Sequence, residues 1–199
     1  MQASFNTLIN SFIDNDIGIA ENFLPAPLSQ QLKNNLLQLY AANQFIAAGT
    51  GNNTVAVYNK QMRSDVIYWL DRKHNNIHEN TFFDVMDAFV QELNSTCYTS
   101  ITSYEFHYAL YPTGSFYKKH IDQFKSNNSR QFSMMLYLNE GWQPEDGGEL
   151  CIHHKNTQQK IPPVYGKSVF FKSNVVAHEV LLTHKPRMSI TGWLKVNAV

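Results

Sequence analysis

The stretch SITSYEFHYALYPTGSFYKKHIDQF, residues 100–124, marks the point where the chain changes character. Its first half alternates bulky apolar residues with smaller or polar ones, and this period of two predicts a β-strand. Pro112 and Gly114 break the alternation, and His120 and Asp122 follow two positions apart. Because alternate side chains of a strand point to the same side, the imidazole and the carboxylate are predicted to face one concavity.

More short strands are predicted downstream. They cover residues 131–139, 148–154, 167–173, 177–183 and 187–196. Upstream, residues 28–43 carry leucines at helical spacing, and a second helix is predicted to begin near Asn80 or Thr81. Short strands after a helical preface predict an α+β fold, with a jelly-roll or barrel-like core buttressed by helices.

The composition is that of a globular protein with one ordinary domain, since 43% of the 199 residues are hydrophobic. The formal net charge is zero, which argues against a nucleic acid or an anionic membrane as a partner. We expect no signal peptide and no membrane span, because the sequence has no long apolar run. Two cysteines, Cys97 and Cys151, are typical of a reduced protein, so we expect a cytoplasmic location.

A histidine two positions before an aspartate is by itself a weak motif, and a surface turn is the plainer interpretation of it. Imidazole and carboxylate are nevertheless good transition-metal ligands, and two histidines with one carboxylate are typical of non-haem Fe(II) oxygenases. A third ligand has to come from downstream. The downstream histidines are His153, His154, His178 and His184. We favour His178, because Arg187 follows nine positions later and its guanidinium could bind the carboxylate of 2-oxoglutarate.

Four segments carry a family resemblance. They are YPTGSFYKKHID, MLYLNEGWQPEDGGEL, VFFKSNVVAHEV and RMSITGW, in that order. Residues 100–195 resemble the catalytic domain of the Fe(II)/2-oxoglutarate-dependent prolyl hydroxylases, and in particular the oxygen-sensing enzymes and their bacterial relatives. The resemblance implies a double-stranded β-helix (jelly roll) core. A weaker match, QMRSDVIYWLD at residues 61–71, resembles the segment of these enzymes that helps to hold the peptide substrate.

The resemblance assigns roles to ten residues. It implies iron ligation by His120, Asp122 and His178, cosubstrate binding by Arg187, Tyr137, Tyr111 and Thr191, and substrate binding by Arg63, Asp65 and Tyr117. The strand alternation agrees for Tyr111 and Tyr137, and by the same alternation His107 and Met135 are predicted to line the pocket. For His107 we expect an interior or rim position rather than metal ligation.

The function implied by the resemblance is hydroxylation of a protein, with prolyl 4-hydroxylation as the expected reaction and succinate and CO2 as co-products. The cofactors are Fe(II), 2-oxoglutarate and O2, and the family adds L-ascorbate. The expected partner is a protein or peptide, and bacterial relatives suggest a translation elongation factor. We expect one domain, 1–199, in which residues 1–97 provide helical support and a substrate loop (49–71), and residues 98–199 form the core.

Three alternatives remain open. One is a non-catalytic jelly-roll module that binds a metal or a sugar, although such a module has no use for a buried Arg187 beside the metal. The second is a 2-oxoglutarate oxygenase that acts on a substrate other than proline. The third is a cupin-like enzyme independent of 2-oxoglutarate, although the additional His or Glu ligands of such sites have no matching cluster in this sequence.

Overall fold

The computed structural model describes residues 1–49, 59–123, 127–155 and 157–196. Its helices are α1 Gln2–Asn15, α2 Ala26–Ala41 and α3 Ile77–Cys97. Its strands are β1 Ile17–Ala20, β2 Ile46–Ala47, β3 Val66–Trp69, β4 Ser103–Tyr111, β5 Tyr117–His120, β6 Arg130–Tyr137, β7 Leu150–His154, β8 Thr157–Ile161, β9 Ser168–Lys172, β10 Ala177–Val180 and β11 Arg187–Lys195. Part of the predicted substrate loop, residues 50–58, lies outside the described residues.

The strands form two antiparallel sheets. The larger has the order β1-β9-β6-β11-β4-β3-β2, and the smaller has the order β5-β10-β7-β8. All the strands predicted from the alternating segments are present, as β4, β6, β7, β9, β10 and β11. The α+β class with a β core supported by helices is therefore confirmed.

The two faces of the larger sheet bury different sets of side chains. On β4, Phe106, Tyr108 and Leu110 point to the helices and join an apolar core with residues of α1, α2 and α3. Ala109 and Tyr111 point the other way and pack with residues of the smaller sheet. The alternation predicted for this strand is confirmed, and the helices and the smaller sheet lie on opposite faces of the larger sheet.

The N-terminal half contributes more strand than the sequence analysis assigned to it. That analysis described residues 1–97 as helical support and a loop, whereas β1 pairs with β9 and β3 pairs with β4 at the two sides of the larger sheet. β1 and β3 have four residues each, too few to establish an alternating pattern. β8 is not among the predicted strands; four of its five residues are exposed, so it too lacks an apolar pattern.

The helices are close to the prediction, with one correction. α2 covers the predicted leucine stripe and buries Leu28, Leu32 and Leu36. α3 begins at Ile77 rather than near residue 80, because the side chain of Asn76 accepts hydrogen bonds from the first-turn amides of His78 and Glu79. None of the described helices combines the length and the apolar character that crossing a membrane requires.

Candidate active site

Three predicted metal ligands converge between the sheets. His120 ends β5, Asp122 follows that strand, and His178 on β10 is the register partner of His120. The ligand atoms of the three side chains all lie within 4.8 Å of one another. Asp122 and His178 are buried, with 7% and 2% of their surfaces exposed, so water screens the charge of the Asp122 carboxylate only weakly.

Backbone carbonyls orient both imidazoles. The Nδ1 atom of His120 lies 2.8 Å from the carbonyl oxygen of Lys118, and the Nδ1 atom of His178 lies 3.2 Å from that of Val176. A carbonyl only accepts, so each Nδ1 carries a proton and each Nε2 presents its lone pair. These Nε2 atoms lie 3.4 Å and 3.6 Å from the carboxylate oxygens of Asp122.

Asp122 is held as an anion. Burial alone would raise its pKa, but the His178 and His120 imidazoles and a hydrogen bond from Ser133 outweigh burial, and the pKa of Asp122 is lowered overall. The Ser133 hydroxyl donates to Oδ2 over 2.6 Å and also contacts the Ser173 hydroxyl at 2.9 Å. The carboxylate is therefore ionised and fixed in one orientation.

His178 is held neutral. Burial lowers its pKa to about 4, although the neighbouring Asp122 opposes the shift. Two neutral imidazoles and one carboxylate are the protonation states that a divalent transition metal requires. Two imidazole nitrogens and one carboxylate are the donor set typical of non-haem Fe(II) oxygenases, so these three side chains fit an Fe(II) ion.

The predicted cosubstrate anchor, Arg187, begins β11 and is only 3% exposed. Its Nε donates to the carbonyl oxygen of Gly148 over 2.8 Å, and among the described residues no carboxylate pairs with it. Gly148 has a φ of 74°, and a Cβ there would lie 3.0 Å from Cδ of Arg187. Glycine is therefore needed where this side chain approaches the backbone.

A buried guanidinium without a carboxylate is costly unless a ligand supplies one. Its Cζ atom lies 4.9 Å from the ring centre of Tyr111 and 5.0 Å from that of Tyr137. Within the part of the chain that the structure describes, the buried Tyr137 hydroxyl has no hydrogen-bond partner, and burial raises its pKa although Arg187 opposes the shift. A cation and an unpartnered phenol side by side fit the far carboxylate of 2-oxoglutarate.

One cavity of about 260 Å³ joins these groups. Its walls include His120, Asp122, His178 and Arg187, together with the predicted residues Thr191 and Met135. His107 also lines the cavity, and Thr191 lies between Met135 and His107 as their register partner in the sheet. The structure thus brings the three predicted metal ligands, the guanidinium, Tyr111 and Thr191 to one cavity, whereas Tyr137 is not among the residues that line it.

The predicted substrate-side residues contact one another in the order Asp65, Arg63, Tyr117. Tyr117 in turn stacks on the predicted metal ligand His120. Asp65 pairs with Arg63 through two hydrogen bonds of 2.7 and 2.6 Å, and Cζ of Arg63 lies 4.1 Å from the ring centre of Tyr117. The Tyr117 ring stacks on that of His120, with centroids 3.6 Å apart and an interplanar angle of 13°. Arg63 and Tyr117 line the cavity, whereas the buried Asp65 lies behind Arg63.

Other wall residues were not predicted. Trp69, Trp193 and Arg130 line the mouth of the cavity, with Cζ of Arg130 at 3.4 Å from the Trp193 ring centre. Neither Trp193 nor Arg130 was predicted from the sequence to line the site. His107 lies between Trp69 and Trp193, with ring centroids at 5.0 and 5.5 Å, and it is not part of the metal cluster.

Residues 106–195 match the sequence family described as the 2OG-Fe(II) oxygenase superfamily. Among solved structures, a prolyl-4-hydroxylase of Pseudomonas putida is 30% identical, with a TM-score of 0.87, and the match covers 98% of this chain and 100% of that one. A prolyl hydroxylase of Trichoplax adhaerens, solved with a peptide fragment of the oxygen degradation domain of hypoxia inducible factor, is 26% identical. Its TM-score is 0.84, and the match covers 96% of this chain and 88% of that one.

A third similar structure limits what the fold alone can indicate. The epimerase SnoN, solved with Fe3+ and alpha ketoglutarate, has a TM-score of 0.68 at 12% identity, over 98% of this chain and 84% of that one. At that identity the likeness concerns the fold and not the reaction. The neighbouring structures share the predicted double-stranded β-helix, and the substrate has to be argued from the site.

Proposed function

Because the chain belongs to the 2OG-Fe(II) oxygenases of the prolyl hydroxylase type, we propose that it hydroxylates a prolyl residue of a protein or peptide, at the C4 position. It is a 2-oxoglutarate-dependent dioxygenase. The peptide substrate is supported by the similar enzyme of Trichoplax adhaerens, which was solved with a peptide. A translation elongation factor is the partner that we expect, and the cytoplasm is the expected location.

In this proposal His120, Asp122 and His178 hold Fe(II), and Arg187 binds the far carboxylate of 2-oxoglutarate with help from the Tyr137 hydroxyl. Tyr111 and Thr191 line the cosubstrate end of the cavity. When bound, Fe(II), 2-oxoglutarate and O2 supply the oxidising chemistry, and 2-oxoglutarate leaves as succinate and CO2. L-Ascorbate is the reductant to include in an assay.

The protein itself positions groups and excludes water. The carbonyls of Lys118 and Val176 keep both Nε2 atoms available, and Ser133 keeps the carboxylate aimed at the metal. On the substrate side, Trp193 offers aromatic surface on which a proline ring can pack, whereas Arg63 and His120 cover the two faces of the Tyr117 ring. Arg63 offers a cation to peptide carbonyls.

One observation carries this proposal. Two histidines and an aspartate share one cavity with a buried guanidinium that no carboxylate of the described residues neutralises. The triad alone would suit many metal-binding modules, and the unneutralised Arg187 is what calls for a diacid beside the metal. A sugar-binding jelly roll has no need for that combination.

The test is to incubate the protein with Fe(II), 2-oxoglutarate, ascorbate and proline-containing peptides, including segments of a translation elongation factor. Mass spectrometry should locate one added oxygen atom on proline, with an equal amount of succinate. The Asp122→Ala variant is the control and should form neither product.

Two results would contradict the proposal. An oxygen atom placed reproducibly on another residue would favour a non-prolyl oxygenase. Binding of Fe(II) without any 2-oxoglutarate turnover, with or without peptides, would favour the non-catalytic metal-binding module.

A further inference from the structure

The outer face of the smaller sheet carries a second group of metal-ligand side chains. Cys151 and His153 lie on β7, and Glu179 lies on β10 as the register partner of Cys151. The adjacent residues Ile152 on β7 and His178 on β10 point into the space between the two sheets. Because side chains alternate along a strand, those of Cys151, His153 and Glu179 point away from that space. One ligand atom of each lies within 4.8 Å of the others.

The three side chains of this group differ in their exposure to solvent. Cys151 is 2% exposed, while the side chains of His153 and Glu179 are 14% and 27% exposed. The Nε2 atom of His153 lies 2.8 Å from Oε1 of Glu179, so two of the ligands already meet. A thiolate, an imidazole and a carboxylate are the set that zinc takes, with water as a fourth ligand.

The surroundings of the thiol are mixed in charge. Lys160 is the register partner of Cys151 on β8, while Lys119, Glu149 and Glu179 also act on the thiol. Burial, followed by the charge of Glu179, raises the pKa of Cys151. A metal ion must therefore displace a proton from sulfur when it binds. An ion pair between His153 and Glu179 would account for the short distance between these two side chains. It gives no reason for the buried Cys151 thiol beside them.

We propose that Cys151, His153 and Glu179 bind a second divalent metal ion of the zinc class, separate from the oxygenase site. The ion would join β7 to β10 on the face of β10 opposite to His178. Because binding occurs in the folded chain, occupancy should also stabilise the protein against unfolding. This inference does not depend on the proposed prolyl substrate.

Cobalt(II) is the probe that separates the two sites. A cobalt ion bound to a thiolate absorbs in the near ultraviolet by charge transfer from sulfur, and the His120, Asp122 and His178 ligands contain no sulfur. Titration of the metal-free protein should produce this absorption in the wild type and in the Cys97→Ser control. The Cys151→Ser variant should lack it.

Zinc binding gives an independent measurement. Calorimetry should find two zinc sites in the wild type, one in Cys151→Ser and one in the His120→Ala/Asp122→Ala variant. The Glu179→Gln variant should weaken the thiolate site at least about tenfold. Titration in buffers of different ionisation enthalpy should show proton release from the thiol at this site, which the Cys151→Ser variant should lack.

The control for folding is circular dichroism together with Fe(II)-dependent 2-oxoglutarate turnover, which Cys151→Ser should retain. If Cys151→Ser does not fold, His153→Gln replaces it, with loss of the charge-transfer absorption as the expected result. The proposal is overturned if saturating cobalt produces no sulfur absorption, if the absorption survives in Cys151→Ser, or if it disappears in Cys97→Ser.

Discussion

The two faces of the larger sheet differ in what they bury. The helix side is rich in aromatic contacts, such as those of Phe89 with Phe5, Phe23 and Phe170 at centroid distances of 5.2, 5.2 and 5.7 Å. The polar groups that it buries between Asn35, Glu79 and Tyr108 are hydrogen-bonded to one another. The side that faces the smaller sheet buries charges and polar atoms. Among the described residues it includes three unpartnered ones, on His107, Tyr137 and Trp193.

The two faces of the larger sheet therefore contribute differently to folding and to ligand binding. Apolar packing on the helix side contributes free energy to folding, whereas unpartnered polar groups cost free energy unless a ligand satisfies them. We therefore expect substitutions on the helix side to change stability without changing the site. Substitutions on the other side should change ligand binding more than stability.

The largest expected effect is on the helix side. Phe89→Ala removes a fully buried ring and should lower the free energy of unfolding by about 3–5 kcal/mol. Urea denaturation measures this change, and Leu37→Ala, at an exposed position of α2, is the matched control. Affinity for Fe(II) below the transition should stay unchanged in both. A parallel loss of iron affinity in Phe89→Ala would show that the two faces are not separable.

On the opposite face, Arg187→Lys should weaken 2-oxoglutarate binding roughly tenfold to hundredfold, because lysine keeps the charge but loses the paired donors. Calorimetry under nitrogen with Fe(II) present measures the affinity. Arg72→Lys, on the exposed helix side, is the control. Equal cosubstrate affinity in the wild type and Arg187→Lys would remove Arg187 from the site.

A smaller effect is expected from removal of the hydrogen bond to Asp122, a proposed metal ligand. Ser133→Ala removes the hydroxyl that orients Asp122 and should lower Fe(II) affinity about tenfold. Ser168→Ala is the control, because it removes an equally buried hydroxyl that bonds to the carbonyl of Ala20 instead. Identical iron affinities in the two variants would mean that the Ser133 contact does not tune the metal.

The smallest effect concerns pH. Burial, with the charges of Arg63 and Arg130, lowers the pKa of His107 from 6.5 to about 3, against the opposing charge of Asp122. Below pH 6.5 the unfolded chain therefore binds a proton at this residue that the folded chain does not. The free energy of unfolding therefore decreases as the pH is lowered, by up to about 1.4 kcal/mol per pH unit.

His107→Gln should make the loss of stability between pH 6.5 and 5.5 smaller. Urea midpoints at these two pH values measure it, and His184→Gln, at an exposed position, is the control. His178, whose pKa burial lowers to about 4, acts in the same direction and remains in both variants. An unchanged difference between the midpoints would show that His107 is protonated in the folded state.

The strands and helices whose hydrophobic residues recur with a clear period could be predicted from the sequence. β4 and β11 have nine residues each and show it fully, whereas β1 and β3 have only four residues. The start of α3 was missed because Ile77 in its first turn is 72% exposed, so the apolar spacing begins only one turn later. Local hydrogen bonding by Asn76 decides that boundary.

The site was predictable where side-chain chemistry identifies a residue. His120, Asp122, His178 and Arg187 were selected by spacing and resemblance, and the structure places them in one cavity. The carbonyls that orient the imidazoles could not be found, because every residue has one. Tyr117 and His120, three positions apart, would lie on opposite faces of a regular strand. They stack because the register of β5 against β10 shifts between them.

That stack has a practical consequence for engineering. From Asp65 through Arg63 and Tyr117 to His120, each side chain contacts the next, so the proposed substrate wall packs directly against a proposed metal ligand. If these residues have the proposed roles, changing residue 63 or 117 to alter peptide selectivity would also change the packing that orients the His120 imidazole. Selectivity and metal retention in this protein must therefore be optimised together.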